Sequence, residues 1–215
     1  ALNSPQYVIV EVSVPDSTLL EPGNDLQAAI SNADEGDVIL LTDGIYLLGS
    51  PLVFNNNITF RSANGPEQCI LEGYLDRCLY FETQTSETIV DGFTIRDGMA
   101  SEGGGIYIED ASPTITNCIF ENCTATEGGA LILYSSASDI SNCIFRDNDA
   151  TDGGAIYIGV STRSPIITDC QFIRNSVDDQ GGALYIAGST SSPIITNCQF
   201  IRNSSDNQGG AVFNL

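Results

Sequence analysis

Acidic side chains stand immediately before a repeated Gly-Gly pair, and their type and spacing point most clearly to chemistry. Glu102, Glu127 and Asp152 hold this position in three successive repeats, and Gln180 and Gln208 hold it in the next two. We call these five positions the acidic column. Repeats that stack at the spacing of β-strands place such side chains about 4.8 Å apart, where like charges repel. The carboxylates therefore either spread into solvent or share a bound cation.

Calcium is the cation that this arrangement would suit, because Ca2+ takes several oxygen ligands. Further acids lie in the same expected loops and would add ligands. The hypothetical calcium site comprises Glu102, Glu127, Asp152, Asp178, Asp179 and Asp206. The alternative is a set of solvated turn acids, and the sequence favours it because the dense D-x-D-x-D pattern of a calcium loop is absent.

Aromatic residues recur inside the strand that follows each Gly-Gly pair. Tyr107, Tyr157, Tyr185 and Phe213 form this tyrosine column, and Ile132 interrupts it. Strand alternation places the column opposite an aliphatic one, so we expect the rings to face outward. Outward rings would bind a ligand, either by stacking on sugars or by receiving a partner, with the tyrosines as the contact residues. The alternative is that the rings belong to the core.

The charge composition excludes several kinds of function. The sequence has 28 acidic residues, seven arginines, no lysine and no histidine, which gives a net charge of −21. Nucleic acids and anionic membranes require basic patches, so neither is an expected partner. Without histidine there is no imidazole base and no Ser-His-Asp triad.

No apolar run approaches 18 residues, so no transmembrane segment is expected. We expect a secreted or cell-surface protein whose signal peptide has been removed.

Arginines and cysteines have mainly structural interpretations. Arg96, Glu121 and Arg146 share one outward position in successive coils, which predicts a charge ladder with Arg174 and Arg202 beside it. Four cysteines share an inward position with a phenylalanine and are expected to be buried thiols. They are Cys118, Cys143, Cys170 and Cys198. The remaining cysteines are Cys69 and Cys78, which either pair or stay free, and Cys123, which has no evident partner.

The element that must position these residues is a repeat marked by GGAIYI at Gly153–Ile158. Its copies start at residues 103, 128, 153, 181 and 209. Aligned copies give an interior phenylalanine column and an asparagine column whose amides would bond along the stack. The glycines suit a tight turn with positive φ. Coils of this length predict a parallel β-solenoid, of about seven coils from Asp37 onward at the strand spacing.

The first part of the chain reads as a lead-in and a cap, followed by irregular coils. Residues 1–22 are expected to be irregular apart from the strand-like run Tyr7–Val14. Helical spacing predicts a helix over Asn24–Ala33 that covers the end of the stack. Residues 1–36 would form this lead-in and 37–215 the β-helix, within one structural domain. Short apolar runs after Asp37 predict strands, with turns such as Asp43-Gly44 between them.

The repeats are similar to those of known families. The pairing of Gly-Gly-Ala with F-x-x-N, as in Phe145–Asn148, Phe172–Asn175 and Phe200–Asn203, resembles the polymorphic outer-membrane protein (Pmp) family. Phe120–Cys123 departs from that pattern. Residues 26–95 resemble the pectin-lyase-like β-helix proteins. The resemblance implies a right-handed parallel β-helix, and such repeats build adhesins, surface proteins and polysaccharide enzymes alike.

We predict an all-β, right-handed parallel β-helix with a short N-terminal capping helix. The leading hypothesis is a non-catalytic extracellular or cell-surface module with a structural or adhesive role, whose partner is a polysaccharide or a neighbouring cell surface. A carbohydrate-active enzyme or polysaccharide-binding protein, with calcium, is the second hypothesis. A filament subunit that self-associates through the open C-terminal coil or the N-terminal strand is the third. The resemblance implies that an enzyme would use an arginine base or clustered aspartates. We assign no catalytic residue, because the acids are expected in loops and the unassigned arginines lie in no motif.

Overall fold

The computed structural model describes residues 16–188 and 192–215 of the chain. The run Tyr7–Val14 lies outside the described residues. Within them, short strands of successive coils pair in parallel and form three long sheets and one short sheet. The fold is therefore a parallel β-solenoid. Sheet 1 has eight described strands, so the stack has about eight coils, close to the seven expected.

The elements are as follows. Sheet 1 contains β1 (Ser17–Leu20), β2 (Val38–Leu41), β5 (Thr59–Ser62), β8 (Ile89–Asp91), β11 (Thr114–Thr116), β14 (Asp139–Ser141), β18 (Ile166–Thr168) and β22 (Ile194–Thr196). Sheet 2 contains β3 (Gly44–Leu48), β6 (Cys69–Gly73), β9 (Thr94–Arg96), β12 (Ile119–Glu121), β15 (Ile144–Arg146), β19 (Gln171–Ile173) and β23 (Gln199–Ile201). Sheet 3 contains β4 (Leu52–Val53), β7 (Leu79–Phe81), β10 (Ile106–Glu109), β13 (Leu131–Tyr134), β17 (Ile156–Ile158), β21 (Leu184–Ile186) and β25 (Val212–Asn214). Sheet 4 contains β16 (Asp149–Asp152), β20 (Ser176–Gln180) and β24 (Ser204–Ser205), and the single helix described is α1 (Leu26–Asn32).

Like residues stack in register through the interior, as the repeat predicts. Phe120, Phe145 and Phe172 are fully buried, and their rings stack with centroids 4.7 and 5.0 Å apart. Burying one such side chain stabilises the fold by about 1.5–3 kcal/mol. Four successive coils, from Phe120 to Phe200, each add a ring to this stack. The register of their strands is therefore fixed by packing as well as by backbone hydrogen bonds.

The asparagine column forms a ladder inside one corner of the coil. The side-chain amide of Asn148 donates to the Oδ1 of Asn175 at 2.9 Å, and Asn175 repeats this bond to Asn203 at 2.9 Å. The same Nδ2 atoms of Asn148 and Asn175 also donate to backbone carbonyls of the preceding coil. The ladder therefore satisfies turn groups that would otherwise be buried without partners. Cys123 takes the same corner position one coil earlier, where its Sγ lies 3.8 Å from the carbonyl oxygen of Ile95.

The Gly-Gly pairs form the corner between sheet 4 and sheet 3. The first glycine of each pair has a positive φ, between 58° and 72°, which side chains disfavour. The second glycine faces the next coil so closely that a Cβ on Gly154 would lie 2.4 Å from the carbonyl oxygen of Gly182. Both requirements explain why the pair recurs, and they confirm the predicted tight turn.

The helix covers the start of the solenoid. Asp25 is its N-cap and accepts a hydrogen bond from the first turn, while Leu26 and Ile30 are buried. Gln27 ties the helix to β4 through two hydrogen bonds, of 2.8 and 2.9 Å, to the backbone of Val53. The predicted capping helix is confirmed.

Two expectations about the early coils are wrong. The lead-in is not irregular up to residue 22, since β1 pairs in parallel with β2. Asp43-Gly44 is not simply a turn, because Gly44 begins β3, which pairs with β6 over five residues. In both places, hydrogen bonds to the next coil hold the backbone in an extended conformation. The local sequence alone did not predict a strand there.

All seven cysteines are free thiols in the structure. Cys118, Cys143 and Cys170 are buried as predicted, and burial raises the pKa of the Cys143 thiol well above its usual value. Cys69 and Cys78 do not pair, because Cys69 begins a strand of sheet 2 whereas Cys78 precedes a strand of sheet 3. Cys198 was also expected to be buried, but it is only half-buried because it lies in the last coil of the stack. The other six thiols behave as small apolar core residues.

The outward charge ladder is present and includes one acid that the sequence did not suggest. The close ion pairs are Arg96 with Glu72, Arg146 with Glu121 and Arg174 with Asp147, joined by hydrogen bonds of 2.9, 2.8 and 2.7 Å. The partly exposed pairs of Arg96 and Arg146 each contribute at most about 1 kcal/mol. Three of the four arginines expected in the ladder are thus engaged in cross-strand contacts, whereas Arg202 makes no ion pair with the residues that the structure describes.

Candidate binding face

The acidic column runs along a short parallel sheet. Glu127 pairs in register with Glu102 on one side and with Asp152 on the other. Asp152 pairs in turn with Gln180, and Gln180 pairs with Gln208. The expectation that these acids lie in loops is wrong for Asp152, which ends β16. Glu102 and Glu127 lie outside the named strands and pair with their neighbouring coils through isolated bridges.

The Gly-Gly corner carries the chain from the acidic column directly into the strands of sheet 3. The tyrosines point away from the core there, because the flanking aliphatic residues of each strand point inward. Tyr157 and Tyr185 are half-buried, whereas Tyr107 is only 9% exposed. Acids and tyrosines therefore lie on the same side of the solenoid, although the sequence patterns presented them as two separate features.

Six aromatic rings form a continuous row on this side, which we call the outer ring row. Its members are Tyr80, Tyr107, Tyr134, Tyr157, Tyr185 and Phe213. Neighbouring centroids are 4.9–6.2 Å apart. Direct face-to-face contact would bring ring atoms to about 3.5–4.0 Å, so the rings are offset and each leaves part of a face uncovered.

Tyr134 closes the gap that Ile132 leaves in the tyrosine column. Its ring lies 5.9 Å from the ring of Tyr107 and 6.2 Å from that of Tyr157, with edge-on geometry in both cases. Gly159 makes this possible, because a Cβ there would lie 2.2 Å from the Tyr134 ring. Sequence reasoning missed Tyr134, although it lies two residues after Ile132 and therefore on the same face of the strand.

The first half of the outer ring row is already engaged by neighbouring side chains. The hydroxyl of Tyr134 donates to Glu127 at 2.6 Å, and that of Tyr107 donates to Glu109 at 3.1 Å. The guanidinium carbon of Arg77 lies 4.6 Å from the centre of the Tyr107 ring and 5.9 Å from that of Tyr80. Arg77 is one of the arginines that lie in no motif, and it makes a cation–π contact with these rings.

The second half of the row is open. Among residues 16–188 and 192–215, none accepts or donates a hydrogen bond at the hydroxyl of Tyr157 or Tyr185, and none places a cation over these rings. Burial raises the pKa of Tyr157 to about 12, with the nearby carboxylate of Glu127 adding to the effect. Both hydroxyls are therefore protonated donors at neutral pH.

The carboxylates beside the open rings are electrostatically crowded. Burial raises the pKa of Asp152, and the negative charge of Asp179 raises it further. A backbone hydrogen bond from Gln180 to Asp152 opposes this rise. This part of the face therefore gains stability when a positive charge approaches it.

The other acids of the hypothetical calcium site lie around this corner but make different contacts. Asp178 and Asp206 are exposed, and Asp179 accepts a hydrogen bond of 2.7 Å from Asn207. The described part of the chain contains no group of three or more His, Cys, Asp or Glu side chains placed to hold a metal ion. Calcium binding by these residues stays a prediction.

Comparison with known families agrees with this architecture. Residues 77–214 match the family model described as a right handed beta helix region. The chain belongs to the right-handed beta helix family. No curated protein matches the chain at a significant level. The matched region includes every ring of the outer ring row and the whole acidic column, but membership in a fold family of this kind fixes no activity. The resemblance to Pmp repeats stays a prediction.

The helix α1, the one helix in the described segments, has neither the length nor the apolar character that a membrane crossing would need.

Proposed function

We propose that this right-handed beta helix is a non-catalytic extracellular or cell-surface module that adheres to its partner through the outer ring row and the acidic column. The observation that carries the proposal is the open pair Tyr157 and Tyr185, whose outward rings lie next to the carboxylates of Glu127 and Asp152. Partly exposed aromatic rings with unused hydroxyl donors are typical of binding surfaces. Strands on both sides hold them rigidly, so little ordering is needed on binding.

Other side chains with chemical capacity support a binding role, since they are engaged in structural contacts. Arg96, Arg146 and Arg174 form cross-strand ion pairs, and Arg77 lies on the rings of the first half of the row. The core thiols are buried, with a raised pKa at Cys143. The use of these arginines and thiols in structural contacts fits adhesion better than turnover.

A retention assay tests the proposal. The purified chain would be passed over beads that carry a neutral polysaccharide and over beads that carry an acidic one. It would also be incubated with intact cultured cells, which are then washed. We expect retention on at least one surface, and we expect the double variant Tyr157→Leu/Tyr185→Leu to lose it. The matched control is Tyr74→Leu, because Tyr74 is 66% exposed and lies outside the row. Equal retention of the double variant and the native chain would contradict the proposal.

A carbohydrate-active enzyme is the second candidate, and one observation favours it. Asp152 has a raised pKa and pairs in register with Glu127 on the adjacent strand. A carboxyl group with a raised pKa beside a second carboxyl group is the kind of pair that general acid catalysis uses. Incubation with neutral and acidic polysaccharides, with and without Ca2+, would test this by the release of reducing or unsaturated ends. Turnover that disappears in Asp152→Asn would establish the enzyme, and no release would leave adhesion as the function.

A further inference from the structure

We infer that the open ring pair Tyr157–Tyr185, with its flanking carboxylates, is a receptor for the guanidinium group of an arginine side chain on a partner polypeptide. The inference deepens the proposed function and rests on it, because it names the chemistry that the adhesive face recognises. It is built on a comparison between two ring pairs of the same row.

The two ring pairs have nearly the same geometry. Tyr80 and Tyr107 stack with centroids 5.2 Å apart and planes 6° apart. Tyr157 and Tyr185 stack with centroids 4.9 Å apart and planes 5° apart. Each pair joins consecutive strands of sheet 3 in register. The same surface chemistry is therefore presented twice along one side of the molecule.

The first pair holds a guanidinium group supplied by the chain itself. Arg77 lies three residues before Tyr80, and its guanidinium carbon is within 6 Å of both ring centres. That distance is the range in which a cation is attracted to the negative face of an aromatic ring. The molecule thus shows how a guanidinium group binds to such a pair.

The second pair has no such group from its own coils. The positions three residues before Tyr157 and Tyr185 are Gly154 and Gly182, where the tight corner leaves no room for a side chain. In the described segments no other cation lies over these rings. The place that Arg77 fills in the early coil is therefore left for a ligand.

The charge around the second pair favours a cation. Burial raises the pKa of the Tyr185 hydroxyl, and the nearby carboxylates of Asp152, Asp179 and Glu127 raise it further. The net charge of −21 adds a long-range attraction for basic ligands. A planar guanidinium can stack on a ring and donate in the same plane to a carboxylate, which an ammonium group cannot do. These facts favour arginine over lysine.

Calorimetric titration with three blocked peptides tests the inference. The peptides alternate glycine with arginine, lysine or uncharged citrulline, and ionic strength is kept near physiological to suppress non-specific attraction. We expect the arginine peptide to bind about fivefold to tenfold more tightly than the lysine peptide, and the citrulline peptide to bind far more weakly. Because the chain has no tryptophan, tyrosine fluorescence gives a second readout at the rings.

Two sets of variants separate this site from bulk charge. Tyr157→Leu/Tyr185→Leu removes the rings, and Asp152→Asn/Asp179→Asn removes two charges while leaving the rings in place. We expect either set to remove the preference for arginine, whereas Asp139→Asn, an exposed acid of sheet 1, leaves it intact. Thermal unfolding of each variant checks that it is folded, and the charge variant keeps the test decisive if the ring variant is unstable.

The outcomes distinguish this inference from the proposed function. Equal binding of arginine and lysine peptides, or an arginine preference that survives both sets of variants, would overturn the guanidinium site. If the inference fails in this way while the ring variant still loses retention on beads or cells, the adhesive function stands with a different ligand. If the ring variant retains the native adhesion, the proposed function fails independently of the peptide result.

Discussion

Individual side chains on the candidate face are coupled by charge, and Asp152 shows the coupling most clearly. Burial and the neighbouring Asp179 raise its pKa in the folded chain. The folded state therefore binds more protons than the unfolded state between the usual pKa, about 3.9, and the raised value. The stability that protonation of Asp152 contributes is lost as the pH rises through this window, and it does not return at neutral pH.

The substitution Asp152→Asn should therefore stabilise the protein at pH 7. It removes the buried charge but keeps an amide oxygen to accept the backbone hydrogen bond of Gln180. We expect the Tm to rise by up to about 2–4 °C, since solvent screening limits the effect. The difference should vanish below about pH 3.9, where both states are protonated.

Thermal unfolding followed by circular dichroism at pH 3 to 8 measures this dependence. The control is Asp139→Asn, which removes the same charge at an exposed position of sheet 1. A lower Tm for Asp152→Asn at pH 7, or an equal rise for the control, would contradict the account of local crowding.

Among the secondary-structure elements, the stacked corners hold the coils in register. Asn175 is fully buried, and its side chain bonds both the coil before and the coil after. Removing it leaves the backbone amide of Asn148 and the carbonyl of Phe145 without those bonds. Each buried group left without a partner costs about 1–3 kcal/mol.

Asn175→Ala should accordingly lower the free energy of unfolding by at least about 1–3 kcal/mol. Asn207→Ala is the comparison, because Asn207 is exposed and bonds only at the surface. Urea denaturation of both variants and the native chain would measure the difference. Similar midpoints for the two variants would mean that the ladder does not stabilise the stack.

The elements could largely be predicted from the sequence because the signal repeats. Gly-Gly pairs, phenylalanines and asparagines each recur in the same column, so one periodicity indicates the strands, the corner and the interior together. The early coils lack this repetition, and β1 and β3 were missed there because their pairing with the next coil overrides local turn residues.

The candidate face was harder to predict than the fold. The tyrosines and acids were identified, but their proximity was not, because the angle of the Gly-Gly corner is not encoded in spacing. Tyr134 was missed because its ring fills space above Gly159, which depends on packing between two coils. Arg77 was missed for a similar reason, since its ring partners include a residue 30 positions later in the sequence.

For the whole molecule, the excess of negative charge should oppose folding and respond to salt. With 28 acidic residues against seven arginines, self-repulsion destabilises the compact state. We expect the Tm to rise as NaCl increases from about 10 mM to 150 mM, because the screening length falls from about 30 Å to 8 Å.

Calcium at matched ionic strength then tests the hypothetical metal site. If Glu127, Asp152 and Asp179 share a Ca2+ ion, CaCl2 should raise the Tm more than NaCl does, by mass action. Asp152→Asn/Asp179→Asn should remove that additional increase. Equal Tm values in the two salts would mean that the acids respond only to screening.

The central claim is that one side of the solenoid carries an outward row of rings, in which Tyr107 is covered and Tyr157 and Tyr185 are open. Hydroxyl-radical footprinting with mass spectrometry measures it directly, because tyrosines of identical chemistry are compared within one chain. Tyr74, which is 66% exposed, and Tyr46, which is 3% exposed, give the two reference rates. We expect Tyr157 and Tyr185 to be oxidised at an intermediate rate, and Tyr107 to be oxidised about as slowly as Tyr46. Oxidation of Tyr157 and Tyr185 as slow as that of Tyr46 would contradict it.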